Sequence, residues 1–286
     1  MSPVDISLSN LFFAYLATVG IWSVARAAGE QLGRTLVVGV LRMTVQLFLM
    51  GYVLIRLFAI DNPYLTSFAY ILMLIFATQL IVSRCGVAFK GLSQILGLSL
   101  GVSVSAVLCY FVTFVIRSDS VFEPRHIIPM AGMILCNSMN GAALAIERFY
   151  AALRASRNEF ETALAFGATA AEAARPAFSQ AFRTSLTPML LTMSSSGLVS
   201  IPGMMVGQII CGASPLLSVK YQIALLLAMT ASVAITSYLS LKMAISQFFT
   251  EAGTFRDEIF RADQLSGKPV MTPKRGCGGG GTGCAR

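Results

Sequence analysis

The sequence predicts an all-α, polytopic membrane protein, and three observations carry that fold class. Hydrophobic residues make up 56% of the 286 and charged residues only 12%, where a soluble domain carries about 25%. So few charges cannot coat a globule of this size in water, which excludes a soluble enzyme, a disordered chain and a collagen-like rod. The apolar residues gather into about seven stretches close to the ~20 residues a helix needs to cross a bilayer. The net charge is +8, yet the basic residues lie between those stretches and in the tail. That is a pattern of membrane topology rather than of a nucleic-acid face.

The first stretch, Ser7 to Val24, has no Lys or Arg before it and no well-placed A-x-A site. It reads as a retained span rather than a signal peptide. The second, third and fourth run from Leu36 to Ala59, Tyr64 to Ser83 and Gln94 to Ile116. The fifth covers Ile127 to Ile146, the sixth Leu186 to Cys211 and the seventh Tyr221 to Leu241. With the N-terminus outside, sixteen of the 21 basic residues fall on the cytoplasmic side and only Arg117, Arg125 and Lys220 fall outside. The expectation is therefore seven spans, N-out and C-in. A membrane domain would occupy residues 1–250, with a cytoplasmic tail over 251–286. That tail ends in CGGGGTGC and is too polar and Gly-rich to offset the entropy of ordering. Cys277 and Cys284 do not complete a tetrahedral metal site, and the only His, His126, lies on the opposite side. Cys85, Cys109, Cys136 and Cys211 sit in or beside apolar segments, as small hydrophobes do.

The longest internal loop, about residues 147–185, carries the most information. Phe149, Leu153, Phe160 and Leu164 form one apolar stripe bordered by Arg148, Arg154, Arg157, Glu159 and Glu161, which predicts an amphipathic helix. Gly167 offers its C-cap, and Thr169-Ala170-Ala171-Glu172 reads as a capping box opening a second short helix. Pro176 should kink or end that helix. A plain reading makes this a solvated elbow between spans. The spelling Glu161-x-Ala163-x-x-x-Gly167-Ala168 resembles the EAA loop of ABC-transporter permeases, which docks in a groove of the ATPase subunit. Pro188 stands later than that loop's closing proline.

No G-x-x-x-x-G-K-[ST] phosphate loop, H-E-x-x-H or G-x-S-x-G occurs. Active transport would have to be driven by a partner or an ion gradient. The candidate pathway residues are polar or helix-breaking groups inside spans. Arg42 and Gln46 share a helix face, and an internal charge defaults to function unless it snorkels to the surface. Asn137 and Asn140, three apart in the fifth span, should face together, either towards a hydrated path or towards neighbouring helices. The sixth span holds Ser196 and Gly197, then Pro202-Gly203 with Gln208 behind, which predicts a mid-span break that either exposes carbonyls to a cation or acts as a hinge. Met204 and Met205 invite a soft-metal reading beside the plainer one of flexible packing. Gly203-x-x-x-Gly207 and Gly97-x-x-x-Gly101 suit close helix packing or a dimer contact.

Several strings then point to one family. They are Leu41-Arg42-Met43-Thr44-Val45-Gln46-Leu47 in the second span and Ile128-Pro129-Met130-Ala131-Gly132-Met133-Ile134 in the fifth, with Asn137-Ser138-Met139-Asn140 after it. The sixth adds Gly197-Leu198-Val199-Ser200-Ile201-Pro202-Gly203-Met204-Met205 with Gly207-Gln208. Together with Leu164-x-x-Gly167-Ala168-Thr169, these resemble the FetB family of bacterial iron-export permeases, whose plant relatives are linked to aluminium tolerance. The resemblance runs from about Leu36 to Met243; Cys136 and the cysteine tail fall outside it. It implies a permease subunit, without enzymatic activity of its own, of a two-component ABC exporter for iron or a related metal. A separate ATPase of the FetA type would bind ATP and Mg and dock on Glu161, Ala163, Gly167, Ala168, Thr169 and Glu172. A homodimer in the cell membrane, either a bacterial inner membrane or a eukaryotic plasma or organelle membrane, is the implied assembly. Two rival readings are an ABC permease for a sugar nucleotide or other organic anion, which Arg42 would suit, and a non-transporting sensor or recruitment subunit.

Overall fold

The computed structural model describes residues 8–27, 33–60, 62–85, 91–116 and 124–248. They form ten α-helices: α1 (Leu8–Ala27), α2 (Gly33–Ile60), α3 (Pro63–Arg84), α4 (Leu92–Tyr110), α5 (Pro124–Ala155), α6 (Arg157–Ala165), α7 (Ala170–Ala173), α8 (Arg175–Ser195), α9 (Gly203–Ile210) and α10 (Pro215–Phe248). A π-helical segment, Phe111–Ile116, continues α4. No strand occurs among the described residues. The polar tail of 251–286 lies outside them.

Local chemistry sets the helix starts. The Asn62 side chain accepts the Tyr64 N–H at 2.9 Å, and Pro63 fills the first position of α3, where a missing N–H costs nothing. Ser214 does the same for α10, accepting the Leu217 N–H at 3.3 Å ahead of Pro215. Five of the helices are long and apolar enough to cross a membrane: Leu36–Ile60, Pro63–Ser83, Leu92–Val115, Ile127–Ala155 and Pro215–Ser246. α1 carries a shorter apolar stretch, Tyr15–Val24. The stretch expected to form a sixth span with a break in its middle is built from two helices, α8 and α9.

The centre of the molecule is α10, packed against α4, α5 and α8, with α3 behind α4 and α5. Hydroxyl pairs stitch this centre together: Ser240 to Ser99 at 2.9 Å, Thr236 to Ser103, and Ser232 to Ser138 at 2.7 Å. On α10 these residues recur every four positions, so one face carries them all. Gly141 lets the backbones close in, since a Cβ there would lie 2.6 Å from Val233 Cγ1. The Gly97/Gly101 pair packs α4 on α3, with Thr78 and Leu74 each 3.3 Å from where a Cβ would stand. Around Gly203 and Gly207 the space is open. α2, by contrast, is scarcely buried; it pairs with α1 and touches α5, and Leu57 is buried.

On the cytoplasmic side of the predicted topology the apolar stripe turns a corner. Phe149 and Leu153 belong to the end of α5, whereas Phe160 and Leu164 belong to α6, with the chain bending at Ser156. Phe149, Leu153 and Phe160 are all buried, and Leu164 packs against the same core. The single amphipathic helix expected from periodicity is therefore two. The loop expected over 147–185 also contains the end of α5 and the start of α8, leaving residues 156–174 as the connector between them.

The close approach at Gly141 makes a testable difference between two glycines. Gly141→Ala should destabilise the full-length chain in detergent by about 1–3 kcal/mol, the usual cost of overpacking a filled site. Gly207→Ala, in open space inside α9, should be neutral or stabilise by up to about 1 kcal/mol, the helix-interior cost of glycine relative to alanine. Equal thermal-unfolding midpoints for both variants would contradict the packing described.

Candidate functional site

The connector is a rigid elbow. The hydroxyl of Ser156 donates to the Ala152 carbonyl at 2.9 Å, and the Ser156 carbonyl accepts from the Phe160 N–H, turning α5 into α6. α6 carries one exposed ion pair, Arg157 to Glu161 at 2.7 Å, of the kind that adds little stability. Its C-terminus closes as a Schellman motif: the Ala168 N–H donates to the Ala163 carbonyl at 3.1 Å and the Gly167 N–H to that of Leu164 at 2.9 Å. Gly167 sits at φ +91°, a left-handed conformation that side chains resist. The expected capping box is formed. The Glu172 N–H donates to the Thr169 hydroxyl at 3.3 Å, and the Thr169 N–H and O–H donate to Glu172 Oε2 at 2.9 and 2.8 Å. Those bonds favour the ionised carboxylate and hold Glu172 below its ordinary range. α7 ends at Ala173, and Pro176 occupies the first turn of α8. Glu161 and Glu172 are exposed, Ala163 and Ala168 half-buried, and buried Phe160 and Ala174 pin the elbow to the bundle.

The elbow's tip is an apolar knob outside the predicted stripe. Phe166, 87% exposed, stands immediately before Gly167 and off the Phe160/Leu164 face. An aromatic directly ahead of a C-cap glycine, out of phase with the apolar stripe, was the available signal. At the end of α3, Cys85 is the buried C-cap. Burial, and secondly the Glu147 carboxylate, push its thiol up to about 12, so it is a protonated, unreactive group at neutral pH.

The break expected in the sixth span lies at residues 196–202. α8 ends with hydroxyls turned back on its own carbonyls, Ser194 to Leu190 at 2.8 Å and Ser196 to Thr192 at 2.6 Å. The chain then makes a tight turn in which the N–H groups of Leu198, Val199 and Ser200 converge on the Ser195 carbonyl at 3.3, 3.0 and 3.2 Å. Gly197 enters this turn at φ +87°, and its N–H donates to the Ser200 carbonyl at 2.9 Å. Leu198 and Val199 form the tip, 90% and 87% exposed. Pro202 leads into α9, whose first N–H groups receive no side-chain cap. Ser196, Pro202 and Gln208 are half-buried and Gly203 is exposed. Two helix ends, one presenting carbonyls and one presenting N–H groups, therefore meet at the break, a geometry that suits charge binding and bending alike.

The remaining candidates divide. Asn137 donates to the Met133 carbonyl at 2.8 Å and to Met229 Sδ of α10 at 3.2 Å, whereas Asn140 is exposed. They do not face together as expected. Residues three apart differ by about 60° around a helix, enough here to put one in the interface and the other outside it. Arg42 and Gln46 are exposed on α2, and neither makes a hydrogen bond or ion pair among the described residues. The structure does not bring them to the break. Met204 packs against the core and Met205 is half-buried, and among the described residues there is no cluster of three His, Cys, Asp or Glu that could hold a metal. The thioethers that do meet polar groups are others: Met229 through Asn137, and Met193 of α8, which accepts from Thr230 at 3.3 Å two residues before α8 ends. Side chains of α5, α8 and α10 are thereby linked just ahead of the break.

The pattern of the family described as "Uncharacterised protein family (UPF0014)" matches residues 8–249. A UPF0014 membrane protein of Synechocystis is 38% identical over 64% of this chain and 70% of its own length. The Arabidopsis thaliana protein named ALUMINUM SENSITIVE 3 is 31% identical over 80% of this chain and 82% of its own. The Escherichia coli "Probable iron export permease protein FetB" is 25% identical over 87% of this chain and 95% of its own. No solved structure matches the chain.

The capping box gives a pH-dependent prediction. Because the folded Glu172 carboxyl titrates below the unfolded value of about 4.3, the box contributes stability above that pH and loses it as pH falls through the lower folded value. Thr169→Ala should raise the Glu172 midpoint towards about 4.3, read by carbon-13 NMR of the full chain in detergent. Alanine keeps the backbone donor at this position, so the rise should be partial, and an unchanged midpoint would mean that the Thr169 hydroxyl does not bond to the Glu172 carboxylate.

Proposed function

The chain belongs to the UPF0014 family of membrane proteins, and on that premise we propose that it is the permease subunit of an ABC exporter carrying iron or a related metal out of the cytosol. The observation that supports this best is a mechanical one. α8 runs as one helix from the elbow at Ala174 to the break at Ser196, with Pro188 leaving a single gap in its hydrogen-bond ladder, a lever of about 30 Å. A cytoplasmic partner that pushes the elbow moves the break.

In this reading the membrane domain crosses the bilayer seven times, N-out and C-in, with α8 and α9 together making the sixth crossing. A separate ATPase of the FetA type binds ATP and Mg, and Phe166 with Gly167, Ala168 and Thr169 enters its groove. Two copies of the permease assemble with two ATPases. Hydrolysis rocks the elbow. α5 and α8, which leave it at either end, tilt together because Asn137, Met229, Thr230 and Met193 tie both to α10. The turn at 196–202 then shifts between two arrangements and changes which side has access to the polar helix ends. The likeness to a protein named as an iron-export permease is what supports iron as the substrate. The rival substrate, an organic anion, rests on Arg42, and that residue stands exposed on the least buried of the spanning helices.

Inside-out vesicles holding the chain and its cognate ATPase should take up iron when ATP is supplied, and not with an ATPase-dead partner. Gly167→Arg should reduce uptake to the level of that control while the chain stays folded. ATP hydrolysis by an intact complex without iron uptake would remove iron as the substrate. Uptake undiminished by Gly167→Arg would remove the elbow as the docking element.

A further inference from the structure

α4 and α10 are pinned together over one half of their contact and parted over the other. In the first half lie the Ser99–Ser240 and Ser103–Thr236 pairs. In the second half α4 gives way to the π-helical segment Phe111–Ile116, whose extra residue per turn widens the helix. A groove of about 760 Å³ opens there. Its floor is small, with Ala106 from α4 and Ala224, Ala228 and Ala231 from one face of α10. Tyr110 and Leu227, both exposed, line it with larger side chains. One charged residue lines it, Lys220, in the second turn of α10. Lys220 is exposed and has no partner among the described residues.

We infer that this groove holds one phospholipid, its acyl chain lying between α4 and α10 and its anionic phosphate at Lys220. Length argues for a lipid. From Lys220 to Ile235 the groove follows α10 for about 22 Å, somewhat more than one leaflet's share of the ~30 Å hydrocarbon core. Shape argues the same way, because Ala224, Ala228 and Ala231 leave a channel along α10 between bulkier residues such as Tyr110 and Leu227, whereas hydroxyl pairs hold the other half of the same interface together. Charge supplies the selectivity. A single ammonium at the mouth of an apolar groove, able to snorkel to the headgroup level, favours a phosphate without a compensating cation. The site is independent of the transported substrate and of the elbow.

Native mass spectrometry of the full-length chain, released from micelles containing equal phosphatidylglycerol and phosphatidylcholine, tests this. One tightly held phosphatidylglycerol per chain is expected, preferred about fivefold, the contribution of one basic residue at an anionic lipid surface. Lys220→Gln should keep a bound lipid but erase the preference. Ala228→Phe should abolish retention, with Ala231→Leu as the milder filling variant should the first fail to fold. Retention that survives Ala231→Leu in folded protein, or an undiminished preference in Lys220→Gln, would overturn the assignment. So would occupation of the groove by a second copy of the chain, seen as dimers that displace the lipid.

Discussion

In a bilayer there is no water to satisfy a backbone N–H or C=O, so every such group must find its partner inside the protein. The whole architecture answers that constraint. Most of the chain meets it with long helices; α5 alone runs 32 residues and α10 34. Where α10 meets α4 and α5, three hydroxyl pairs satisfy side-chain polarity, each worth about 0.6 kcal/mol between helices in a membrane, while Ser237 Oγ and Gln222 Oε1 of α10 lie buried without a partner among the described residues. Those pairs do not drive the helices together. They fix the rotation of α10, and Gly141 brings the α5 backbone close enough for the match.

One segment departs from helix within the apolar stretch read as the sixth span, and it is the segment at which function is proposed. The turn at 196–202 satisfies most of its N–H groups locally, three of them on the single carbonyl of Ser195. Its side chains at the tip have almost no contacts, and α9 begins without a cap. A firmly packed bundle on one side of a loosely held turn is the arrangement a hinge requires, since local opening is concentrated where buried contacts are few. The elbow provides the opposite property at the far end of α8. Its Schellman motif, capping box and buried Phe160 fix its geometry, as the proposed transmission of a push requires.

The features legible in the sequence were those written in backbone chemistry. Thr169 and Glu172, Gly167, Pro176 and the Gly197–Pro202 break each impose a local geometry that neighbours cannot easily override. Features that depend on which helix faces which were not legible. Periodicity ran the stripe Phe149–Leu164 through one helix because four- and seven-residue spacing survives a bend such as the one at Ser156. Asn137 and Asn140 were placed on one face because the position of α10 beside α5 was unknown. The serines of α4 and α10 looked unremarkable singly and became a seam only when the helices were antiparallel neighbours. Arg42 drew attention by its charge, yet its helix lies at the edge of the bundle, a fact of tertiary packing alone.

The central claim is that motion of the elbow reaches the break through α8. Hydrogen–deuterium exchange of the permease–ATPase complex, with and without ATP, tests it directly. Amides of 195–205 should change their protection on nucleotide binding, while the α4–α10 seam around Ser103 and Thr236 stays protected. Unchanged exchange at 195–205 in a complex that is transporting its substrate would contradict the account.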